Sequence, residues 1–243
     1  MTYRVRESQA LVQRAISLAR QEGFWSLLKH SLSFIAYLWR RLFFFRTVYL
    51  YEHTVVPRDR QAFLPRLDSW ELRILHSNED AERVAVEGFE DLRKSFVFAP
   101  REFESGAVAF CVYVGTELAH VGWLAAEARA KQAVDRMPFD VDFDSGQGCT
   151  GGTYTRPKYR GKGLMAYGYY ERFEYLRQRG FTSSRNSVEV NNISSQKAHA
   201  KFNPTIYGVG RYRKVLCWRQ WRVEQLPDGP CQGMPPRAVG RRR

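Results

Sequence analysis

A short basic turn with two glycines, Arg160-Gly161-Lys162-Gly163, is the strongest chemical signal in this 243-residue chain. It follows a β-rich run that ends at Pro157, and it precedes a stretch whose apolar residues recur at helical spacing. Glycines let the backbone approach a ligand closely, and the first amides of a helix have no partner within the helix. The arrangement therefore favours an anion such as phosphate, with Arg160, Lys158 and Lys162 as charged partners. The turn matches neither the P-loop spacing nor the GxGxxG fingerprint.

The elements that must position this turn form an α/β domain at residues 70–223, with mixed strand pairing. We predict one helix from the turn to Gly180 and a long polar loop at 127–147 that holds Asp140, Asp142 and Asp144. The other predicted segments are strands at 70–75, 107–114, 120–126, 149–155, 182–190, 206–210 and 214–223, and helices at 77–94 and 193–201.

Two segments together resemble the GNAT superfamily of acyl-CoA-dependent N-acetyltransferases. The run from Arg160 to Met165 is similar to the family's pyrophosphate motif, Gln/Arg-x-x-Gly-x-Gly/Ala. The run from Val188 to Ser195 is similar to the family's strand followed by Asn-x-x-Ser/Ala and a helix. The order of elements over 70–223 is also similar. The resemblance implies a GNAT-like, mixed but mostly antiparallel central sheet with flanking helices.

The resemblance also implies a site for acetyl-CoA, or another acyl-CoA, as co-substrate. The backbone of one strand would pair with pantetheine, the turn would cradle the pyrophosphate, and an asparagine would contact the pantetheine arm. Met165 departs from the family's small residue, and we expect it to pack into the core. The implied cofactor-binding residues are Tyr154, Thr155, Arg160, Gly161, Lys162, Gly163, Leu164, Met165, Asn192 and Ser195.

The implied reaction is direct attack of an unprotonated primary amine on the thioester carbonyl, helped by positioning and by amides that polarise the carbonyl. If Asn192 is the motif asparagine, His199 takes the position of the acid that protonates the leaving thiolate; if Asn191 is, Ala198 does. The sequence leaves the general base open, with Glu189 on the strand beside the gap as one candidate. The other candidates are His120, Glu127 and the loop aspartates.

The cysteines favour neither a metal site nor covalent catalysis. Cys111, Cys149, Cys217 and Cys231 are widely spaced with no CxxC pair, so we expect no metal. We read them as reduced thiols of a cytoplasmic protein. Nucleophilic catalysis by Cys149 is possible but is not needed for direct transfer, and the place of Cys149 on a strand favours burial.

The net charge of +13 is concentrated at the chain ends. Residues 1–57 are predicted to be a basic, aromatic, helical appendage, and 224–243 a basic, flexible tail. The helix at 24–46 is apolar on one side and basic on the other, which is typical of helices that lie on an anionic membrane. Alternatively, the apolar side packs on the rest of the chain or on a second subunit, as in a homodimer.

The leading hypothesis is thus an N-acyltransferase, in the cytoplasm or peripheral at the inner membrane face. Its acceptor would be an amino sugar or another envelope precursor. The alternative is a non-catalytic, basic nucleic-acid-binding module, or an acyltransferase that acts on a tRNA-linked amine. The near balance of charge in residues 61–224 argues against nucleic acid as a partner.

Overall fold

The computed structural model describes residues 43–96 and 99–226, and the backbone of 231–232. The described residues form two compact units. The smaller unit combines residues 43–45 with Tyr212–Gln220, where the rings of Phe44 and Tyr212 meet edge to face at 5.9 Å. The larger unit comprises 46–211, 221–226 and the backbone of 231–232. It carries the elements described below, apart from the parts of β1, β7 and β8 that fall within 43–45 and 212–220.

A single mixed sheet crosses the larger unit, with strand order β2-β3-β4-β5-β6-β1-β7-β8 and β9 paired to β7. The pairing of β5 with β6 is parallel, whereas β1–β6, β2–β3, β3–β4, β4–β5 and β7–β9 are antiparallel. The predicted fold class, a mixed and mostly antiparallel sheet with flanking helices, is confirmed. The strands are β1 (Phe43–Thr54), β2 (Glu71–Leu75), β3 (Val108–Val114), β4 (Glu117–Ala125), β5 (Gln147–Thr155), β6 (Ser183–Glu189), β7 (Thr205–Val215), β8 (Trp218–Glu224) and β9 (Cys231–Gln232).

Helices cover both faces of the sheet, and strand alternation sends apolar side chains to each layer. On β3, Cys111 and Tyr113 join one core with the first four helices, while Val108 and Phe110 join another with α5. The helices of the described residues are α1 (Asn78–Val86), α2 (Leu92–Ser95), α3 (Ala99–Glu104), α4 (Ala128–Val134), α5 (Leu164–Gln178) and α6 (Ile193–Ala200), with 3₁₀ turns at Arg60–Phe63 and Pro157–Tyr159.

Strands β5 and β6 pair only at their first residues. Their ladder runs from Gln147↔Ser183 to Cys149↔Arg185. Beyond it, β5 continues along β4 to Thr155, and β6 continues along β1 to Glu189. The two strands therefore diverge and leave a V-shaped gap, and α5 and α6 follow the open ends of β5 and β6 in the chain.

Three sequence predictions need correction. Residues 43–54 form β1, which pairs with β6 inside the sheet, so they do not belong to a separate appendage that ends at 57. The predicted polar loop contains α4, and the predicted helix 77–94 is two short helices, α1 and α2. Local sequence does not carry the pairing of β1, because its partner lies about 140 residues later.

The predicted appendage before residue 43 and the tail segments 227–230 and 233–243 lie outside the described residues. Within the described part of the chain, no helix has both the length and the apolar character needed to cross a membrane.

Candidate functional site

A cleft of about 660 Å³ opens at the gap between β5 and β6. Strand β5, the turn after it, and helices α5 and α6 each contribute to its wall. Nine of the ten residues predicted to bind the cofactor line this one cleft, which brings the two separate sequence motifs together. They are Tyr154, Thr155, Arg160, Gly161, Gly163, Leu164, Met165, Asn192 and Ser195.

The turn adopts the backbone conformation that its glycines permit. Gly161 has φ +76° and Gly163 has φ +88°, in the left-handed region that other residues rarely adopt. Gly163 is also the N-cap of α5, so the first amides of a 15-residue helix begin at the cleft. No side chain caps them in the structure. These amides and the helix dipole favour an anion at this point.

The segment around Arg66 supports the turn from outside. The Arg66 amide donates to the Lys162 carbonyl at 2.8 Å, and its guanidinium donates to the Gly161 carbonyl at 2.7 Å. Arg66 also lines the cleft. The sequence does not predict a role for Arg66, because nothing in the local pattern around it points to a turn that lies 95 residues later.

The charged side chains that the described residues contribute to the cleft are all positive. This described lining has no carboxylate and four cations: Arg66, Arg160, Lys197 and Lys201. Lys197 and Lys201 lie four residues apart, on one side of α6 and at its C-terminal end, and this spacing is a helical signal that the sequence analysis did not use. A lining of this kind suits a ligand with several negative charges.

The polar residues on the walls already have protein partners. The Asn192 side chain caps α6 by accepting from the Ser195 amide at 3.1 Å, which fixes where the helix begins. Arg160 donates through Nε to the Thr155 carbonyl at 3.2 Å. Beyond Cys149, the edge of β5 that faces the gap has no ladder partner in the described part of the chain, so its backbone can pair with an extended ligand.

Two of the predicted phosphate contacts are not at the cleft. Lys158 pairs with Glu117, which also accepts from the Tyr159 hydroxyl. The Lys162 side chain is exposed and absent from the lining, and only its carbonyl takes part, by accepting from Arg66. Of the three cations in the sequence motif, only Arg160 therefore lines the cleft.

His199 does not take the predicted acid position. Its side chain is fully buried, with Nε2 at 3.1 Å from Asn186 Nδ2 and Nδ1 at 3.0 Å from His53 Nε2. Burial, with smaller contributions from His53 and Arg172, holds the pKa of His199 well below its usual value. A histidine that stays neutral at physiological pH is a poor acid, because its remaining ring proton is far less acidic than that of an imidazolium. The neighbouring Ala198 lines the cleft, together with Asn192 and not Asn191.

Glu189 is not brought to the cleft either. It forms an ion pair with Arg46 and is absent from the lining. Side chains alternate between the two faces along a strand, so Glu189 lies on the same face of β6 as Ser187, which contacts Asp135. Asn186, which contacts His199, lies on the opposite face. Glu189, one of the candidates for the general base, therefore lies outside the cleft.

A second cleft, of about 470 Å³, shares Tyr154 with the first. Phe96, His120 and Arg156 also line it. His120 is fully buried, and burial lowers its pKa to about 3, which makes it a weak base. Arg156 is held by Glu90 and Glu117.

The remaining base candidates lie away from both clefts. Glu127 pairs with Arg129 on the surface, and the loop aspartates line neither cleft. Cys149 is buried, and burial raises its thiol pKa, which argues against a nucleophilic role. The described residues contain no cluster of metal-ligating side chains.

Comparison with known proteins gives structural similarity at low sequence identity. No family model and no curated protein matches the sequence. Among solved structures, an acetyltransferase of the GNAT family from Colwellia psychrerythraea is 18% identical with a TM-score of 0.40, over 74% of this chain and 57% of that one. A tandem GNAT protein from the clavulanic acid biosynthesis pathway is 13% identical with a TM-score of 0.43, over 79% and 55%.

A GCN5-related N-acetyltransferase-like protein from Streptococcus suis is 14% identical with a TM-score of 0.42, over 78% of this chain and 67% of that one. The chain spans less than two thirds of the first two structures. The GNAT resemblance therefore has counterparts among solved structures.

Proposed function

We propose that this protein binds an acyl-CoA in the cleft between β5 and β6 and transfers its acyl group to a primary amine. The observation that carries the proposal is the coincidence, in one cleft, of the glycine turn, the open N-terminus of α5 and four cations with no carboxylate. A CoA pyrophosphate with its additional 3′-phosphate carries the multiple negative charge that such a lining suits.

Each part of the cleft has a distinct task in this proposal. The α5 amides and Arg160 hold the pyrophosphate, while Lys197 and Lys201 attract the remaining phosphate charge. The unpaired edge of β5 offers N–H and C=O groups to the amides of the pantetheine arm. The acyl group then lies farther into the gap than the phosphates, beside Thr153 and Tyr154 of β5, which line the cleft.

The transfer itself needs no group other than the two substrates. The amine nitrogen forms a bond to the acyl carbon, the C–S bond breaks, and the electron pair leaves on the CoA sulfur. The amine proton passes to solvent or to a base. The second cleft shares Tyr154 with the first, which supports it as the place where the amine approaches.

Isothermal titration with acetyl-CoA tests the cofactor assignment. We expect Arg160→Glu to weaken binding about 10- to 100-fold, because a charge-assisted contact is replaced by repulsion. Arg101→Glu, on the exposed face of α3, is the matched control with the same change of charge. Equal affinity in wild type and Arg160→Glu, or no binding to wild type, would overturn the assignment.

A ligand series gives the chemical basis of binding. We expect affinity to fall from CoA to dephospho-CoA and again to pantetheine, because each step removes phosphate charge from the cleft. An amine screen with thiol release as the readout then identifies the acceptor. A signal that no amine increases would contradict the transfer step while leaving CoA binding intact.

For the acceptor, we propose an amine at the cytoplasmic face of a membrane, such as an amino-sugar envelope precursor. The amphipathic pattern of the 24–46 segment supports this over residues 24–42, whereas residues 43–46 belong to β1. Flotation with anionic lipid vesicles tests it, comparing the full chain with a chain in which Trp25, Trp39 and Leu42 are changed to serine. Equal partitioning of the two would remove the membrane from the proposal.

A further inference from the structure

Arg172, in the middle of α5, is the largest side chain that is fully buried in the described part of the chain. Its guanidinium remains charged in proteins. Burying a charge is costly unless it is paired, yet none of the described carboxylates forms an ion pair with Arg172. Its partners are neutral oxygens and the Tyr169 ring, whose centre lies 3.9 Å from Cζ.

One of the neutral oxygens is the Gly168 carbonyl on α5, which accepts from Arg172 Nε at 2.8 Å. The other three cluster at an irregularity between β4 and β5. The ladder passes from Val121↔Tyr154 to Trp123↔Gly151, so two residues of β5 oppose a single residue of β4. This is a β-bulge, and its first residue, Gly152, has φ +51°. Arg172 NH1 donates to the carbonyls of Trp123 and Gly151 at 3.2 and 3.3 Å, and thus fixes both sides of the bulge.

The bulge lies on the wall of the cleft. Its second residue, Thr153, lines the cleft, accepts from Arg172 NH1 at 3.3 Å and donates to the Gly151 carbonyl at 3.2 Å. The guanidinium rests on Gly122, where an added Cβ would lie only 2.6 Å from Cζ. The other terminal nitrogen, NH2, is buried without a hydrogen-bond partner.

We propose that Arg172 is a positioning residue that holds the bulge at 151–153 and polarises the carbonyl of the bound acyl group. The inference rests on the proposed function, because it needs an acyl-CoA in the cleft. The turn that holds phosphate is at the open end of β5, so the acyl end of an extended ligand lies deeper, beside the bulge. A cation that donates to the Gly151 carbonyl also strengthens the next amide as a donor, because hydrogen bonds in series polarise one another.

A purely structural role gives a weaker account of this residue. Neutral carbonyls at a bulge can be satisfied by neutral donors or by water, so holding the bulge does not by itself require a buried charge. A charge placed beneath a site where an oxygen becomes negative stabilises the transition state. The unpartnered NH2 is consistent with a charge that its protein neighbours do not neutralise.

Isotope-edited infrared spectroscopy of bound acetyl-CoA, labelled with ¹³C at the thioester carbonyl, tests the proposal without an amine acceptor. In wild type we expect the carbonyl band to shift to lower wavenumber on binding. In Arg172→Met the band should return to the position of free acetyl-CoA, while the affinity for CoA without an acyl group changes less than about twofold. Arg172→Lys keeps a positive charge but loses the planar set of guanidinium donors. Its carbonyl band should lie between the bands of wild type and Arg172→Met.

Arg177→Met is the matched control, because it makes the same substitution five residues later on α5. Arg177 pairs with Glu174 at the surface. Its band should match wild type. If Arg172→Met does not fold, as judged by circular dichroism, Arg172→Lys and Thr153→Val carry the test. The inference alone is overturned if the carbonyl band of wild type does not shift on binding. It is also overturned if the band shifts by the same amount in the folded Arg172 variants as in wild type. Failure of wild type to bind acetyl-CoA overturns the proposed function as well.

Discussion

His199 on α6 and His53 on β1 meet ring to ring, with His199 Nδ1 at 3.0 Å from His53 Nε2 and both side chains fully buried. One nitrogen must donate and the other accept, so at least one of the two carries no charge. The pair joins a helix of the cleft to the centre of the sheet. Its protonation therefore couples the stability of the fold to pH.

We expect acid to destabilise the protein through these histidines. Burial lowers the pKa of His53 to about 3 and holds that of His199 well below its usual value. The unfolded chain takes up the protons below a pH of about 6.5, so stability is present above that pH and is lost as the pH falls. Each histidine costs up to about 1.4 kcal/mol per pH unit in that range.

Urea denaturation at pH 7.5 and pH 5.0 measures this effect. His53→Phe with His199→Leu removes two of the protons and should flatten the dependence. His76→Gln, at an exposed position, should leave it unchanged. The same loss of stability between the two pH values in wild type and the double variant would contradict the assignment.

Gly168 on α5 should tolerate no side chain. A Cβ there would lie 2.5 Å from His120 Nε2, and that ring is held by Thr155 at 2.8 Å through Nδ1. Alanine favours a helix over glycine by roughly 0.5–1 kcal/mol, but overpacking a core costs about 1–3 kcal/mol. Gly168→Ala should therefore be less stable than wild type in thermal unfolding.

The control for this change is His120→Ala, which opens space at the same point. In that background Gly168→Ala should be neutral or stabilising, because only the helix propensity remains. If the alanine costs the same in both backgrounds, the steric argument is wrong.

Arg66 should matter for affinity although it lies far from the motif in sequence. Arg66→Ala removes a cation from the cleft and the hydrogen bond to the Gly161 carbonyl. We expect acetyl-CoA to bind about 10-fold more weakly, which corresponds to the loss of one contact of about 1.4 kcal/mol. Arg83→Ala, on the exposed side of α1, is the control in the same titration. An affinity within twofold of wild type would exclude Arg66 from the site.

Thiol reactivity should separate the described cysteines. Cys217 is exposed, whereas Cys111 and Cys149 are buried, and burial raises the pKa of both buried thiols. The thiolate is the reactive form, so iodoacetamide should label Cys217 in the native protein and spare the other two. Peptide mapping by mass spectrometry measures this. Rapid labelling of Cys149 without unfolding would reopen a nucleophilic role.

The sequence predicts the turn and helix α5 well because their signals are local. Glycine positions, helical spacing and the flanking strand all lie within about one βα unit. The orientation of α6 is harder, because one residue along a helix turns a side chain by about 100°. Asn192 as the cap places Ala198 toward the cleft and His199 toward His53, and no local pattern decides between the two.

Pairing across the sheet is the other part that the sequence does not carry. β1 lies between β6 and β7, and Arg172 acquires its partners from β4 and β5, which are distant in the chain. A basic residue in an apolar helix pattern looks like an ordinary surface residue until the register of the sheet is known. Contacts of this kind depend on tertiary structure and not on propensity.

The short ladder between β5 and β6 gives the protein a strand edge inside its own sheet. Among the described residues, the β5 amides that face the gap beyond Cys149 have no neighbouring strand, so their exchange needs little opening free energy. In hydrogen–deuterium exchange of the ligand-free protein, those amides within 150–155 that face the gap should exchange much faster than the amides that pair with β4. A bound ligand that pairs with this edge of β5 would slow the exchange of these amides. This segment would then open together with the rest of the sheet only when the ligand is bound.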